Sequence, residues 1–339
     1  MTHEHLARVA ALGEEIDRLC TLDLRPSGPI GGYIGRFYAA ARQQCDTALT
    51  FAAARCLNSV APGDTVVIAT GFCDPPRLPQ GETDGPPGAA VLARAVLLGL
   101  QATPVLVGEA AIAEPLQACT RSLGLRLHPD LAVARQVPYG VGFYPFPLAP
   151  QEAQAAACTL LEQTRPAVVV VTERAGPNRL GVAHSAMGRA LPAGSRALVE
   201  YLLEAAHAAG IPTIGVGDNG NDMGFGCIED VVRRHKPYGD VCQCPCGGGL
   251  ATVVKTSLLV TAAVANWGVY GVVACLAALR QQPALLHSAA EEADMLQACV
   301  GAGAADGITG RPLPTVDGLP TAVQCSIVEL LHALVAKVC

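Results

Sequence analysis

Four short runs of the chain are apolar or β-branched at nearly every position: Thr65–Thr70 (TVVIAT), Thr103–Val107 (TPVLV), Ala167–Thr172 (AVVVVT) and Thr213–Val216 (TIGV). A strand with one wet face alternates polar and apolar residues. A strand apolar throughout must be covered on both faces. Between these runs lie Ala- and Leu-rich stretches with helical character, from Pro86 to about Gly99 and over Ala110–Leu123, Glu152–Thr164 and Ser195–Ala209. This alternation predicts an α/β fold, a mostly parallel sheet flanked by helices. Hydrophobic residues make up 51% of the 339 and charged ones 15%, so a large core must be buried and the chain is not disordered.

The remaining segments frame that core. Leu6, Val9, Leu12, Ile16 and Leu19 recur at helical spacing, so residues 1–20 read as a helix. A glycine-rich stretch, Gly28–Gly35, precedes a further helix predicted over Arg36–Ser59. Residues 124–150 show no clean period and are expected to form a lobe connection or a substrate lid. Later helices are expected over 257–280, 284–299 and 323–338. The chain reads as a single unit, 1–339, with a helical N-terminal part (1–60) and a main region (61–339). A division into two lobes around an acidic crevice stays open.

Several function classes lose support. A net charge of −6 does not suit a nucleic-acid partner, and Arg233-Arg234-His235-Lys236, the one compact basic run, reads as a solvated helix end or an anion contact. The first twenty residues carry four acids and no apolar core segment, so the expected compartment is the cytoplasm. The apolar region Ser257–Leu279 is interrupted by Asn266-Trp267-Gly268, which favours a buried helix over a membrane span. Most of the fourteen cysteines lie in apolar patterns and read as small buried hydrophobes. Cys242-x-Cys244-x-Cys246 departs from the usual spacing of a zinc pair, and no second pair follows, so metal is expected elsewhere. No Walker motif, dinucleotide fingerprint or serine elbow is present, and His184 reads as structural.

The position-specific signal is acidic. Glu82 and Asp84 lie in the loop after the first strand, Glu173 directly follows the third, and Asp218, Asn221 and Asp222 follow the fourth. In open α/β sheets, ligands bind beyond the C-terminal ends of strands. Three such loops converging on one crevice would offer oxygen ligands to a hard divalent cation. Asp and Asn beside Gly also make turns, which explains any one loop taken alone.

At these loops the chain resembles the D-glutamate cyclase family. The resemblance rests on Glu82-Thr83-Asp84-Gly85-Pro86-Pro87-Gly88, on Thr172-Glu173-Arg174-Ala175-Gly176 and on Gly215 to Gly224. It continues through Arg233-Arg234-His235, Gly239-Asp240-Val241, Asn266-Trp267-Gly268-Val269-Tyr270, Asp306-Gly307 and Thr315 to Pro320, and runs from about residue 60 to the C-terminus. It implies a lyase that converts D-glutamate to 5-oxo-D-proline with loss of water. Mn²⁺ or Mg²⁺, with Ca²⁺ a third choice, is the implied cofactor, held by Asp84 and Asp218, then Glu173, Glu82 and Asp317. Asp222 is the expected base, and Arg174 the expected clamp on the substrate α-carboxylate. Glu173, Asn221 and Asn266 are further candidates for substrate contact. The expected partner is a small acidic amino acid, with a homo-oligomer as an option and no nucleic acid or membrane. A metal-dependent phosphatase or other hydrolase, or a non-catalytic amino-acid-binding protein, would suit the same loops.

Overall fold

The computed structural model describes residues 2–25 and 28–339. Its core is one seven-stranded, all-parallel sheet. The strands are β1 (Thr65–Thr70), β2 (Thr103–Gly108), β3 (Arg126–His128), β4 (Gly140–Pro145), β5 (Pro166–Thr172), β6 (Thr213–Gly217) and β7 (Leu258–Thr261), in the order β3-β4-β2-β1-β5-β6-β7. The twelve α-helices among the described residues are α1 (His3–Cys20), α2 (Ile34–Arg42), α3 (Leu49–Asn58), α4 (Pro86–Ala95), α5 (Ala113–Ser122), α6 (Leu131–Gln136), α7 (Pro150–Thr164), α8 (Glu200–Ala208), α9 (Glu229–His235), α10 (Ala265–Arg280), α11 (Ala289–Gly301) and α12 (Thr321–Val335).

The two-residue period of a strand divides the core between the two faces of the sheet. Val66, Ile68, Val168, Val170, Ile214 and Val216 pack against the layer that holds α3, α4 and α10. Val67, Ala69, Val169 and Val171 pack against α7 and α8 on the other side. Every residue of α10 from Ala265 to Leu279 is buried, as a helix apolar on all sides requires. Among the described residues, no helix is long and apolar enough to cross a membrane.

Three segments differ from the sequence expectation. The helix expected over Arg36–Ser59 is two helices, because Asp17 of α1 reaches across to accept hydrogen bonds from the Leu49 and Thr50 amides (2.6 and 3.0 Å) and starts α3 afresh. The stretch 124–150 is not a lid or a lobe connection but contains β3, α6 and β4. The three-residue edge strand β3 and the glycines of β4 hid that pattern: a Cβ on Gly140 would lie 2.1 Å from the Ala134 carbonyl oxygen. The apolar run from 257 opens with β7 before α10 begins.

Strand order reverses between β1 and β5. From β1 the chain moves outward through β2, and it returns to the other side with β5. That switch leaves a crevice beyond the strand ends, and the loops after β1, β5 and β6 carry the predicted acids into it.

Candidate active site

Asp84 ends the β1 loop. Its Oδ2 accepts from the Ala265 amide (2.9 Å) and its Oδ1 from the Asn266 amide (2.8 Å), so it caps α10 from outside. Gly85 follows at φ +101°, and a Cβ there would stand 2.7 Å from Thr70 Oγ1 and 3.0 Å from Glu173 Cβ. Glycine is what lets the β1 and β5 loops touch. Glu173 itself has φ +47°, a strained conformation for glutamate that persists only where the surroundings enforce it. In the β6 loop, Asp222 Oδ2 accepts from the amides of Asp218 (3.0 Å) and Asn219 (3.2 Å). Asp222 therefore makes the turn. Asp218 is left to present its carboxylate, and its Oδ2 has no hydrogen-bond partner.

Asp317 arrives from a hairpin turn between Thr315–Val316 and Leu319–Pro320. Asp306 holds that turn by accepting from Thr315 Oγ1 and the Gly318 amide, both at 2.7 Å. Carboxylate oxygens of Asp84, Asp218 and Asp317 come within 4.8 Å of one another, as do those of Glu173, Asp218 and Asp222. Glu82 lines the same cavity as Glu173 and Asp317. All six carboxylates are buried.

Two cations stand among these acids. Arg25 Nη1 is 2.9 Å from Asp317 Oδ2, and its Nη2 is 3.8 Å from Asp218 Oδ2. Lys236 Nζ donates to Tyr33 Oη (2.7 Å) and Asn219 Oδ1 (3.2 Å). Burial pushes the carboxyls of Glu82, Asp84, Glu173 and Asp218 well above the usual range, and mutual repulsion adds to it. Asp222 rises to about 6, because burial outweighs its two amide hydrogen bonds. Burial also pulls Lys236 down to about 7, against the attraction of Asp218. So many buried acids stay ionised only if cations offset their charge, and otherwise they take up protons.

A cavity of about 390 Å³ opens over this cluster, lined by Glu82, Glu173, Asn219, Asn221 and Asp317 with Arg77, Arg189, Phe72 and Met187. Asn221 Nδ2 donates to the His184 carbonyl (3.0 Å), and its Oδ1 has no partner. Two expected substrate contacts lie elsewhere. Arg174 is fully buried and forms a two-pronged pair with Glu109 (2.6 and 2.7 Å) while also donating to the Thr70 and Ala197 carbonyls. Its guanidinium is committed and cannot clamp a substrate carboxylate. Asn266 is equally committed: its Oδ1 accepts from the Gly85 and Gly88 amides and its Nδ2 donates to the Thr83 carbonyl.

Arg25, Tyr33 and Lys236 were not legible as site residues. The first two belong to the N-terminal part, which carries no recognisable motif, and Lys236 ends the basic run read as solvated yet is 3% exposed. His184, read from sequence as structural, meets Cys242, Cys244 and Cys246, more than fifty residues away in sequence.

Comparisons with known proteins identify the family. The family described as "D-glutamate cyclase-like, C-terminal" matches residues 38–332, which takes in every acid of the cluster and begins well before residue 60. The chain is also similar to the human protein named "D-glutamate cyclase, mitochondrial", at 31% identity over 260 residues. That alignment covers 74% of this chain but 37% of the human protein, so the chain spans well under half the length of that relative. On the family match over most of its length, this chain belongs to the D-glutamate cyclase-like family.

Proposed function

We propose that this chain is a lyase that cyclises D-glutamate to 5-oxo-D-proline and releases water. The observation that carries the reading is a set of buried oxygens without hydrogen bonds: Glu173 Oε2 and Asn221 Oδ1 on residues that line the cavity, and Asp218 Oδ2 and Asp222 Oδ1 on the acids clustered with Glu173. Oxygen atoms left without hydrogen bonds in a buried site favour a bound cation or a polar substrate as their partner. The family relationship supports D-glutamate as the substrate.

The reaction joins the α-nitrogen to the side-chain carboxyl carbon and breaks one C–O bond. Two protons of the substrate ammonium end on the departing oxygen, which leaves as water. The nitrogen must first lose a proton to become a nucleophile. Glu173 is the acceptor best suited to that step, since it lines the cavity, keeps Oε2 free and has a raised pKa through burial and the negative charge of Asp222. It returns the proton to the leaving oxygen. Asp222, the base expected from sequence, has its Oδ2 engaged in the loop. Arg77 and Arg189 are the cations on the cavity wall that could receive the substrate carboxylates. Holding the substrate curled removes much of the entropy of ring closure.

The donor set fits a hard divalent ion such as Mg²⁺ or Mn²⁺, with Asp84, Asp218 and Asp317 as the holding residues and Glu173 and Asp222 adjoining through Asp218. When bound, such an ion withdraws charge from a carboxylate oxygen and makes its carbon electrophilic. The test is incubation with D- and L-glutamate, with and without Mn²⁺ or Mg²⁺, followed by chiral chromatography of 5-oxoproline. Formation of the D-product supports the reading. Equal or greater turnover of L-glutamate refutes the stereochemical assignment, and no cyclisation of either enantiomer refutes the activity.

A further inference from the structure

A second cluster of ligand-type side chains adjoins the segment that walls the cavity, since His184 directly precedes the lining residues Ser185 to Met187. His184 Nε2 is 3.3 Å from Cys244 Sγ and 3.6 Å from Cys246 Sγ. Cys242 Sγ is 3.5 Å from Cys244 Sγ and 3.3 Å from Cys246 Sγ. One donor atom from each of the four residues lies within 4.8 Å of every other. All three cysteines are free thiols.

This is the spacing of a tetrahedral ligand set. With metal–nitrogen and metal–sulfur bonds of about 2.0–2.3 Å, the edges of such a tetrahedron are about 3.5–3.8 Å. The four edges given above lie within a few tenths of an ångström of those values, and the remaining two are within 4.8 Å. His184 is completely buried, and its ring makes polar contacts only with sulfur, through Nε2. A buried imidazole ordinarily finds an oxygen partner; one turned toward three thiols is oriented as a ligand. Cys246 Sγ also accepts from the Gly248 amide (3.4 Å) and Asn178 Nδ2 (3.7 Å), the kind of outer hydrogen bonds that stabilise a metal-bound thiolate.

We propose that His184, Cys242, Cys244 and Cys246 form a Cys₃His zinc site, distinct from the carboxylate cluster. Soft thiolates and one imidazole select Zn²⁺ over Mg²⁺ or Mn²⁺. Four protein ligands leave no open position for water or substrate, so the site is structural. Its role follows from what it ties together. The Gln243 amide donates to the Gly188 carbonyl (2.8 Å), and the His184 carbonyl receives Asn221 Nδ2. Ser185, Met187 and Arg189, which line the cavity, directly follow the His184 ligand. Zinc would pin that wall to the 242–249 loop.

Metal analysis of the full chain should give one zinc per chain. Substitution with Co²⁺ should give intense thiolate-to-cobalt charge-transfer bands and the visible bands of a tetrahedral ion. Simultaneous Cys242→Ser, Cys244→Ser and Cys246→Ser should abolish both, whereas Asp218→Asn should leave both unchanged. Should the triple variant fail to fold, titrating the parent's thiols with a mercurial, in the presence of a chromogenic zinc chelator, gives the answer on intact protein. One equivalent of zinc should appear as the cluster thiols react. A folded chain without zinc, a Co²⁺ spectrum lacking thiolate bands, or a disulfide among these cysteines in zinc-replete protein overturns the proposal.

Discussion

Asp84 and Asn266 cap each other's helices. The Asp84 carboxylate accepts the first amides of α10, and the Asn266 side-chain oxygen accepts the Gly85 and Gly88 amides at the start of α4. Two helix N-termini that would otherwise leave buried donors unsatisfied are thus locked face to face. Asn266→Ala leaves those amides unpaired, at about 1 kcal/mol for a typical cap and more for a buried one. A loss of about 2 kcal/mol or more in denaturant unfolding is expected. An unchanged midpoint would mean that water takes over the cap.

The Arg174–Glu109 pair has a different signature from a substrate clamp. Both side chains are buried and bonded in two places. Glu109→Gln removes the charge partner of a buried guanidinium, and breaking such a pair costs about 3–5 kcal/mol. The variant should melt far earlier while the folded fraction keeps the parental KM for D-glutamate. A large rise in KM with little change in melting would return Arg174 to the substrate.

The pH dependence of stability tests the buried acids. A carboxyl whose pKa is higher in the folded than in the unfolded state contributes stability at low pH that is lost as pH rises through the folded value. Asp222, raised from 3.8 to about 6, places part of this loss between about pH 4 and 6, and the more strongly raised Glu82, Asp84, Glu173 and Asp218 extend it upward. Lys236, lowered from 10.5 to about 7, acts in the opposite sense above about 7, so the clean window lies below that. Relative to Glu173→Gln, the metal-free parent should lose melting temperature from pH 5 to pH 7. Mn²⁺ should raise it more at pH 7 than at pH 5, because protons compete for the same oxygens. A parent and variant with parallel profiles would show that Glu173 does not titrate as described.

Much of this was legible because it rests on local pattern. β1, β5 and β6 are buried on both faces and announce themselves by composition, and Glu173 and Asp218 each sit one residue beyond β5 and β6. What escaped depends on distance in sequence. Arg25 reaches Asp317 across nearly three hundred residues, and His184 reaches Cys244 across sixty. Neither has a spacing to read. Arg174 and Asn266 misled for a related reason: they lie within family-like motifs, but their hydrogen bonds hold the loops and not the substrate. Asp222, the expected base, is the third such case, since only the contacts show that one of its oxygens makes the turn and leaves Asp218 to present its carboxylate.

That division of labour makes Asp218→Asn the most direct test of the carboxylate centre. A turn-forming aspartate is replaced well by asparagine, but in this loop Asp222 supplies the turn contacts and Asp218 Oδ2 accepts no hydrogen bond. The measurement is Mn²⁺ affinity, by calorimetric titration, together with the rate of 5-oxo-D-proline formation, on a variant whose circular dichroism matches the parent. Our account predicts a parental fold with metal affinity and turnover each reduced at least about a hundredfold, or about 2.7 kcal/mol. Near-parental affinity and turnover in the folded variant would contradict it.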